Sequence, residues 1–209
     1  MNSKRLKNNF STSYNMKKRQ IGLFFGSFNP VHNGHLMLAN YIVEYTDLDS
    51  IWFVVSPQNP LKEKDSLLED HHRLDMLQMA IQNDERFEVC DIEFNMPKPS
   101  YTIDTLNRLS ELHPDTEFHL ICGMDNLESF KKWKNYQDIL DNYHLMVYPR
   151  KNYDGGELSS HKSVQIIDAP EIEISSTFIR KAMTENKDLR HFMPEKSYNH
   201  MIDMKFYKD

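Results

Sequence analysis

Short apolar runs alternate along this chain with longer segments whose apolar residues recur at helical spacing. The runs are Ile21–Gly26, Ile51–Ser56, Phe87–Ile92, Phe118–Cys122, His144–Tyr148 and Val164–Ile167. They are too short for helices and nearly continuous in hydrophobicity, the signature of strands buried on both faces. Between them, the stretch from Gly34 to Glu44 places Leu36, Leu38, Ala39, Ile42 and Val43 at helical spacing, and the stretch from Asp70 to Gln82 does so with Leu74, Leu77, Met79, Ala80 and Ile81. Thr102–Leu112 carries Ile103, Leu106 and Leu109 on one stripe. A helix is also expected over Asn126–Lys132, and Ser175–Met183 and Glu195–Phe206 read as closing helices. Strands separated by helices predict βαβ crossovers and an α/β fold: a doubly wound, Rossmann-like, mostly parallel sheet with helices on both faces. Ligands of such sheets bind beyond the carboxyl ends of the strands, where the strand order reverses. Three places qualify: the loop after the first strand, the loop after Cys122, and the helix start at Ser175.

The polar segments add boundaries. Residues 1–15 have no apolar core and read as a disordered extension, with Met16 as the expected natural start and a single domain over 16–209. Lys151–Ser163 is polar and glycine-containing, the pattern of a mobile surface loop. Among 209 residues, 39% are hydrophobic and 27% charged, an ordinary globular balance. The formal net charge of −6 lacks the basic excess of a nucleic-acid binder, so a DNA or RNA polymer is not the expected partner. No run approaches the ~18 apolar residues of a membrane span, so no membrane partner is expected either. A homo-oligomer is compatible with all of this. Cys90 and Cys122 each lie in an apolar run and form no C-x-x-C pair, so both are expected as buried thiols; so few cysteines fit a reducing cytoplasm.

The chemistry concentrates in Gly26-Ser27-Phe28-Asn29-Pro30-Val31-His32-Asn33-Gly34-His35. It starts at a strand's carboxyl end and finishes at a helix N-terminus, where N–H groups and the helix dipole favour phosphate. Gly26 allows close backbone approach. His32 and His35, three apart, share a face if both lie in the first turn, and two imidazoles aimed at one point can donate to phosphate oxygens. The plainer alternative is a tight loop with two solvent-facing histidines. A zinc site would need a third protein ligand, and no suitable spacing supplies one.

The pattern G-[ST]-F-[DN]-P-x-H-x-G-H before a helix resembles the nucleotidyltransferase α/β phosphodiesterase superfamily, and within it the bacterial nicotinate-nucleotide adenylyltransferases, from about Lys18 to the C-terminus. Four more segments agree in order: Ser56-Pro57-Gln58-Asn59-Pro60-Leu61-Lys62 with P-x-x-x-P-H-K, Ser100 to Leu106 (SYTIDTL) with S-Y-T-[IV]-D-T-L, Ile121-Cys122-Gly123-Met124-Asp125 with I-x-G-x-D, and Ile174 to Arg180 (ISSTFIR) with I-S-S-T-x-[IL]-R. Leu61 replaces the family's histidine, and Val147-Tyr148-Pro149-Arg150 replaces V-x-R-P-G, which leaves the roles of Lys62 and Arg150 open.

The resemblance implies that Gly26, Ser27, Phe28, Asn29, His32, His35, Gly123, Asp125, Ser176, Thr177 and Arg180 bind ATP, with His32, His35 and Arg180 acting on the phosphates. Hydroxyls at a helix start also cap it, and Asp125 also suits the cap of the helix that follows it. The nicotinate mononucleotide would meet Tyr101, Thr102, Trp133 and Lys62. Trp133, among Lys131, Lys132 and Lys134, suits a pyridine carboxylate; its alternative is a half-buried core residue. His71-His72-Arg73 reads as a structural helix start after Asp70. The implied reaction joins ATP and nicotinate mononucleotide into the dinucleotide, releasing pyrophosphate, a step of NAD biosynthesis. The acceptor phosphate is already an anion, so no general base is required, and Mg2+ arrives with the nucleotide, with no dedicated metal site in the chain. Two rivals remain: a sister transferase acting on phosphopantetheine, glycerol phosphate or a similar acceptor, and a non-catalytic nucleotide sensor.

Overall fold

The computed structural model describes residues 17–57 and 67–208. The expectations for residues 1–15, for Met16 and for Leu61 and Lys62 fall outside that range. Six strands form one sheet: β1 (Arg19–Gly26), β2 (Ser50–Val55), β3 (Phe87–Cys90), β4 (Thr116–Gly123), β5 (His144–Tyr148) and β6 (Val164–Ile166). Their order is β3-β2-β1-β4-β5-β6, and every neighbouring pair is parallel. This is the doubly wound order, with the reversal between β1 and β4.

Strand residues alternate strictly between two cores. Phe24, Ile51, Phe53, Val55, Ile121, Met146 and Tyr148 face one side, where helices α1 (Asn33–Tyr45), α2 (Asp70–Ile81), α6 (Ser176–Thr184) and α7 (Glu195–Asp203) cover them. Ile21, Leu23, Trp52, Val54, Phe118, Leu120, Cys122, Leu145 and Val147 face the other, against α3 (Thr102–Leu112), α4 (Met124–Ser129) and α5 (Tyr136–Asn142). That explains why the central strands read as unbroken apolar runs: both their faces are dry, whereas the edge strands β3 and β6 are partly exposed. Both cysteines are buried, and burial pushes their thiols up to about 11 for Cys90 and about 12 for Cys122.

Three elements differ from the pattern-based expectation. The segment after Cys90 leaves the sheet as a 3-10 turn over Ile92–Asn95. Helix α5 has only Ile139 and Leu140 buried, too few for a visible period. The polar stretch Lys151–Ser163, expected as a mobile loop, contains a 3-10 turn over Gly156–Ser160 that begins after a left-handed Gly155.

The carboxyl ends of β1 and β2 are tied together by one side chain. Arg73, on α2, is fully buried. Its Nε donates to Leu68 O at 3.0 Å, and Nη1 donates to Ser27 O at 2.6 Å and Ser56 O at 2.9 Å. Nη2 donates to Pro57 O at 3.2 Å and to Asp70 Oδ1 at 2.6 Å. A buried charge is tolerable only when paired and fully hydrogen-bonded, and this one is. Arg73→Met therefore strands four carbonyls and a carboxylate. It is expected to lower the unfolding free energy by about 3–5 kcal/mol, read by urea denaturation; a loss below about 1 kcal/mol would show that Arg73 does not hold the loop.

Candidate active site

The loop from Gly26 to His32 leaves β1 at the switch point and enters α1. Phe28 sits with φ 43°, a left-handed conformation costly for a bulky residue. Its ring explains why the loop accepts it: Phe28 is 1% exposed and packs edge-on against Phe24, Phe53 and His35, with centroids 6.0, 5.6 and 5.0 Å away. Phe28 therefore anchors the loop to the core, and only its backbone remains to meet a ligand. Asn29 is also structural in its side chain. Its Oδ1 accepts from the Leu68 N–H at 3.2 Å and from the Tyr207 hydroxyl at 2.6 Å.

His32 caps α1 with an extended backbone, and no acidic residue occupies the first turn. The two histidines lie face to face, centroids 3.6 Å apart and planes within 19°. The His32 N–H donates to His35 Nδ1 at 3.2 Å. That acceptor role puts the proton of a neutral His35 ring on Nε2, at the opposite edge. Gly34 gives this stack room: a Cβ there would lie tightly, 3.0 Å from His32 Nδ1 and 3.2 Å from Ile172 Cγ2. His32 Nδ1 is buried without a hydrogen-bond partner. Burial, reinforced by the positive field of Arg150, lowers the His32 pKa from 6.5 to about 4, so the ring is neutral at pH 7. The helix start itself offers less than the sequence suggested, because the Asn33 N–H is already bonded to Phe192 O at 2.9 Å.

The second half of the site is bonded directly to the first. Ser175 caps α6, its Oγ accepting from the Phe178 N–H at 3.2 Å. Ser176 Oγ donates to Pro30 O at 2.9 Å. Arg180 Nη1 donates to Asn29 O at 2.8 Å while Nη2 donates to Thr177 Oγ1 at 3.4 Å. The loop Gly26–His35 and the segment Ser176, Thr177 and Arg180 therefore form one surface, as the sequence suggested.

At the end of β4, Gly123 caps α4, and the Asp125 carboxylate folds back over it. A Cβ on Gly123 would meet Asp125 Oδ1 at 2.4 Å and Arg150 Cγ at 3.1 Å. Arg150 Nε lies 3.8 Å from Asp125 Oδ1, and its Nη2 donates to the Tyr148 hydroxyl at 3.2 Å. Arg150 thus lies over Gly123 beside Asp125 at the end of β4, a placement that the altered motif around Pro149 had left open, and its charge reaches His32.

Tyr101, Thr102 and Trp133 lie together on the other core's side. Lys134 joins them: its Nζ sits 4.7 Å over the Tyr101 ring and donates to both Asp104 oxygens, at 3.1 and 2.8 Å. Trp133 is half-buried against Phe130, centroids 4.9 Å apart, so it has a packed face and an open one. Of the lysines around it, Lys131 pairs with Glu157 and Lys134 with Asp104. The Ser100–Leu106 motif has a structural reason that sequence reading missed. Glu93 is 2% exposed and accepts from Ser100 Oγ and Thr105 Oγ1, each at 2.8 Å, which fixes the start of α3. An acidic residue inside an apolar stretch was the available signal.

The chain resembles known proteins over most of its length. A cytidylyltransferase-like family model matches residues 23–182. A probable nicotinate-nucleotide adenylyltransferase of Cytophaga hutchinsonii is 47% identical over 190 residues, covering 91% of this chain and 99% of its own length. That of Flavobacterium johnsoniae is 47% identical over 191 residues, covering 90% and 99%. The solved Plasmodium falciparum nicotinic acid mononucleotide adenylyltransferase complexed with NaAD has a TM-score of 0.76 over 90% of this chain and 97% of that one; at 22% identity it speaks for the fold alone. With a matched family model over most of its length and close full-length relatives, the chain belongs to the nicotinate-nucleotide adenylyltransferase family.

Proposed function

We propose that this protein transfers the adenylyl group of ATP to nicotinate mononucleotide, giving nicotinate adenine dinucleotide and pyrophosphate. The observation that carries the reading is the stacked pair His32 and His35, bonded into one surface with Ser176, Thr177 and Arg180 at the sheet's switch point. An oxygen of the acceptor phosphate attacks the α-phosphorus of ATP, a new P–O bond forms, and the bond to the β-phosphate oxygen breaks as pyrophosphate leaves. No proton has to be removed from the acceptor, so the work is alignment of two anions and stabilisation of spreading negative charge. His32 and His35 hold the α- and β-phosphates by imidazole N–H donors. Arg180 exchanges its bond to Asn29 O for the leaving pyrophosphate, and Thr177, already beside it, orients the fork. Gly123 and Asp125 meet the adenosine, the absent side chain at Gly123 letting the Asp125 carboxylate fold over the end of β4. Tyr101, Thr102 and the open face of Trp133 hold the pyridine ring and its carboxylate, and Lys62 remains a candidate for the acceptor phosphate.

Mg2+ enters with the nucleotide. Among the described residues the crevice offers the carboxylate of Asp125 with imidazoles, hydroxyls and guanidinium groups, a donor set that suits an ion held chiefly by phosphate oxygens and water. It neutralises charge on the polyphosphate. The protein's place in metabolism is a step of NAD formation, in the cytoplasm.

Steady-state pyrophosphate release with ATP and a panel of acceptors tests the assignment. Turnover is expected with nicotinate mononucleotide; turnover with phosphopantetheine or glycerol phosphate instead would replace it by a sister transferase, and nucleotide binding without turnover by a sensor. His35→Ala is expected to lower kcat by at least ~100-fold. Its unfolding free energy should fall by only about 1 kcal/mol, the scale of one hydrogen bond such as that from the His32 N–H. Near-wild-type turnover would remove His35 from the reaction.

His32 gives a pH prediction. Its folded pKa of about 4 lies below the unfolded 6.5, so the unfolded chain binds the extra proton between those values. His32 therefore contributes stability that is full above pH 6.5 and is lost as the pH falls towards 4. His32→Asn should flatten that limb in a series of denaturation curves, and ATP should raise the His32 pKa in an NMR titration. An imidazole titrating near 6.5 in the free protein would contradict both.

A further inference from the structure

Helix α7 ends in a way that its sequence does not advertise. Phe206 N–H donates to Met201 O at 3.0 Å and Lys205 N–H to Ile202 O at 3.1 Å, the paired bonds of a Schellman turn. Lys205 takes the left-handed position with φ 55°, where glycine is usual. Phe206 is then buried among core residues that include Met201, with its ring against His72 at 4.6 Å and His200 at 5.8 Å. The chain reverses, and Tyr207, also left-handed with φ 59°, points back towards β1. Two successive departures from ordinary backbone within three residues are retained only where the surroundings hold them.

What holds Tyr207 is the first loop. Its hydroxyl donates to Asn29 Oδ1 at 2.6 Å. Burial pushes the phenol pKa up, so the proton needed for that bond stays in place. The same Oδ1 accepts the Leu68 N–H, at the entry to α2, and the Asn29 carbonyl accepts Arg180. Three separate segments thus converge on one residue of the phosphate loop: the entry to α2, the start of α6 and the chain's carboxyl end.

We infer that Tyr207 is a positioning residue for adenylyl transfer, its hydroxyl holding Asn29 so that the loop and Arg180 present one preformed surface to the ATP phosphates. The inference rests on the adenylyl-transfer reading above but concerns the nucleotide half of the site alone. Phe206 and the Tyr207 ring both pack on the core, and loss of the hydroxyl alone keeps both rings, so the tail stays docked while Asn29 loses one of its bonds.

Tyr207→Phe in the full-length protein tests this, with calorimetric binding of a non-hydrolysable ATP analogue measured beside turnover and melting. Affinity for the analogue should fall about tenfold, the size expected of one hydrogen bond to the loop. KM for ATP should rise in parallel, KM for the mononucleotide should stay within twofold, and Tm should drop by only roughly 2–4 °C. In an Asn29→Ala background the same substitution should add less than a twofold further loss, because its route through Asn29 is already gone. Analogue affinity within twofold of wild type, equal weakening of both substrates, or full additivity with Asn29→Ala would each overturn the inference. A wild type that binds the analogue but adenylylates no mononucleotide would overturn the function instead, and the binding measurements would still decide the role of Tyr207.

Discussion

Arg73 has five N–H donors and finds five oxygens: four backbone carbonyls and the Asp70 carboxylate. The acceptors Ser27 and Ser56–Pro57 are the first residues beyond the carboxyl ends of β1 and β2. In a parallel sheet those ends carry carbonyls that no neighbouring strand satisfies, and the chain must turn sharply to enter its crossover. A buried guanidinium solves both problems at once, because its planar fork reaches several carbonyls without a matching number of water molecules. With Ser27 fixed from below by Arg73, the loop can place Phe28 into the core in a left-handed conformation and still deliver His32 to the cap of α1.

Much of the motif is therefore there to build the loop rather than to touch the nucleotide. Phe28 and the Asn29 side chain face inward, while His35, stacked on the buried His32, and the start of α6 remain partly exposed. The division was not visible in the string Gly26–His35, where each residue has equal standing. It emerges only when partners distant in sequence are added, Tyr207 for Asn29 and Phe53 for Phe28.

What was legible follows the same physics. Central strands buried on both faces announce themselves as apolar runs, the partly exposed edge strands β3 and β6 kept enough apolar positions to be read as well, and histidines at a strand–helix junction marked a candidate site without any knowledge of the sheet order. Short elements with few buried residues, such as α5, leave no period to detect. Glu93 and Tyr207 were missed for another reason. A buried carboxylate or phenol is recognisable only by the donors and acceptors around it, and those lie in other segments: Ser100 and Thr105 for the one, Asn29 for the other.

The choice of imidazole over a fixed cation at the phosphate loop also follows from these surroundings. Arg150 and Arg180 already place two permanent positive charges in the crevice, and His32 is buried beside one of them. A lysine at that depth would be a third cation close to Arg150, whose nearby carboxylate, Asp125, it would have to share, a costly arrangement in the free protein. A neutral imidazole avoids that cost, because desolvation and Arg150 both favour its uncharged form until a polyanion arrives. Phosphate reverses the sign of the local field, and the same ring can then take up a proton and donate from both nitrogens. The unpartnered Nδ1 of His32 is thus a consistent feature of the free state: the group is held dry, neutral and unsatisfied at the place where an anion would satisfy it.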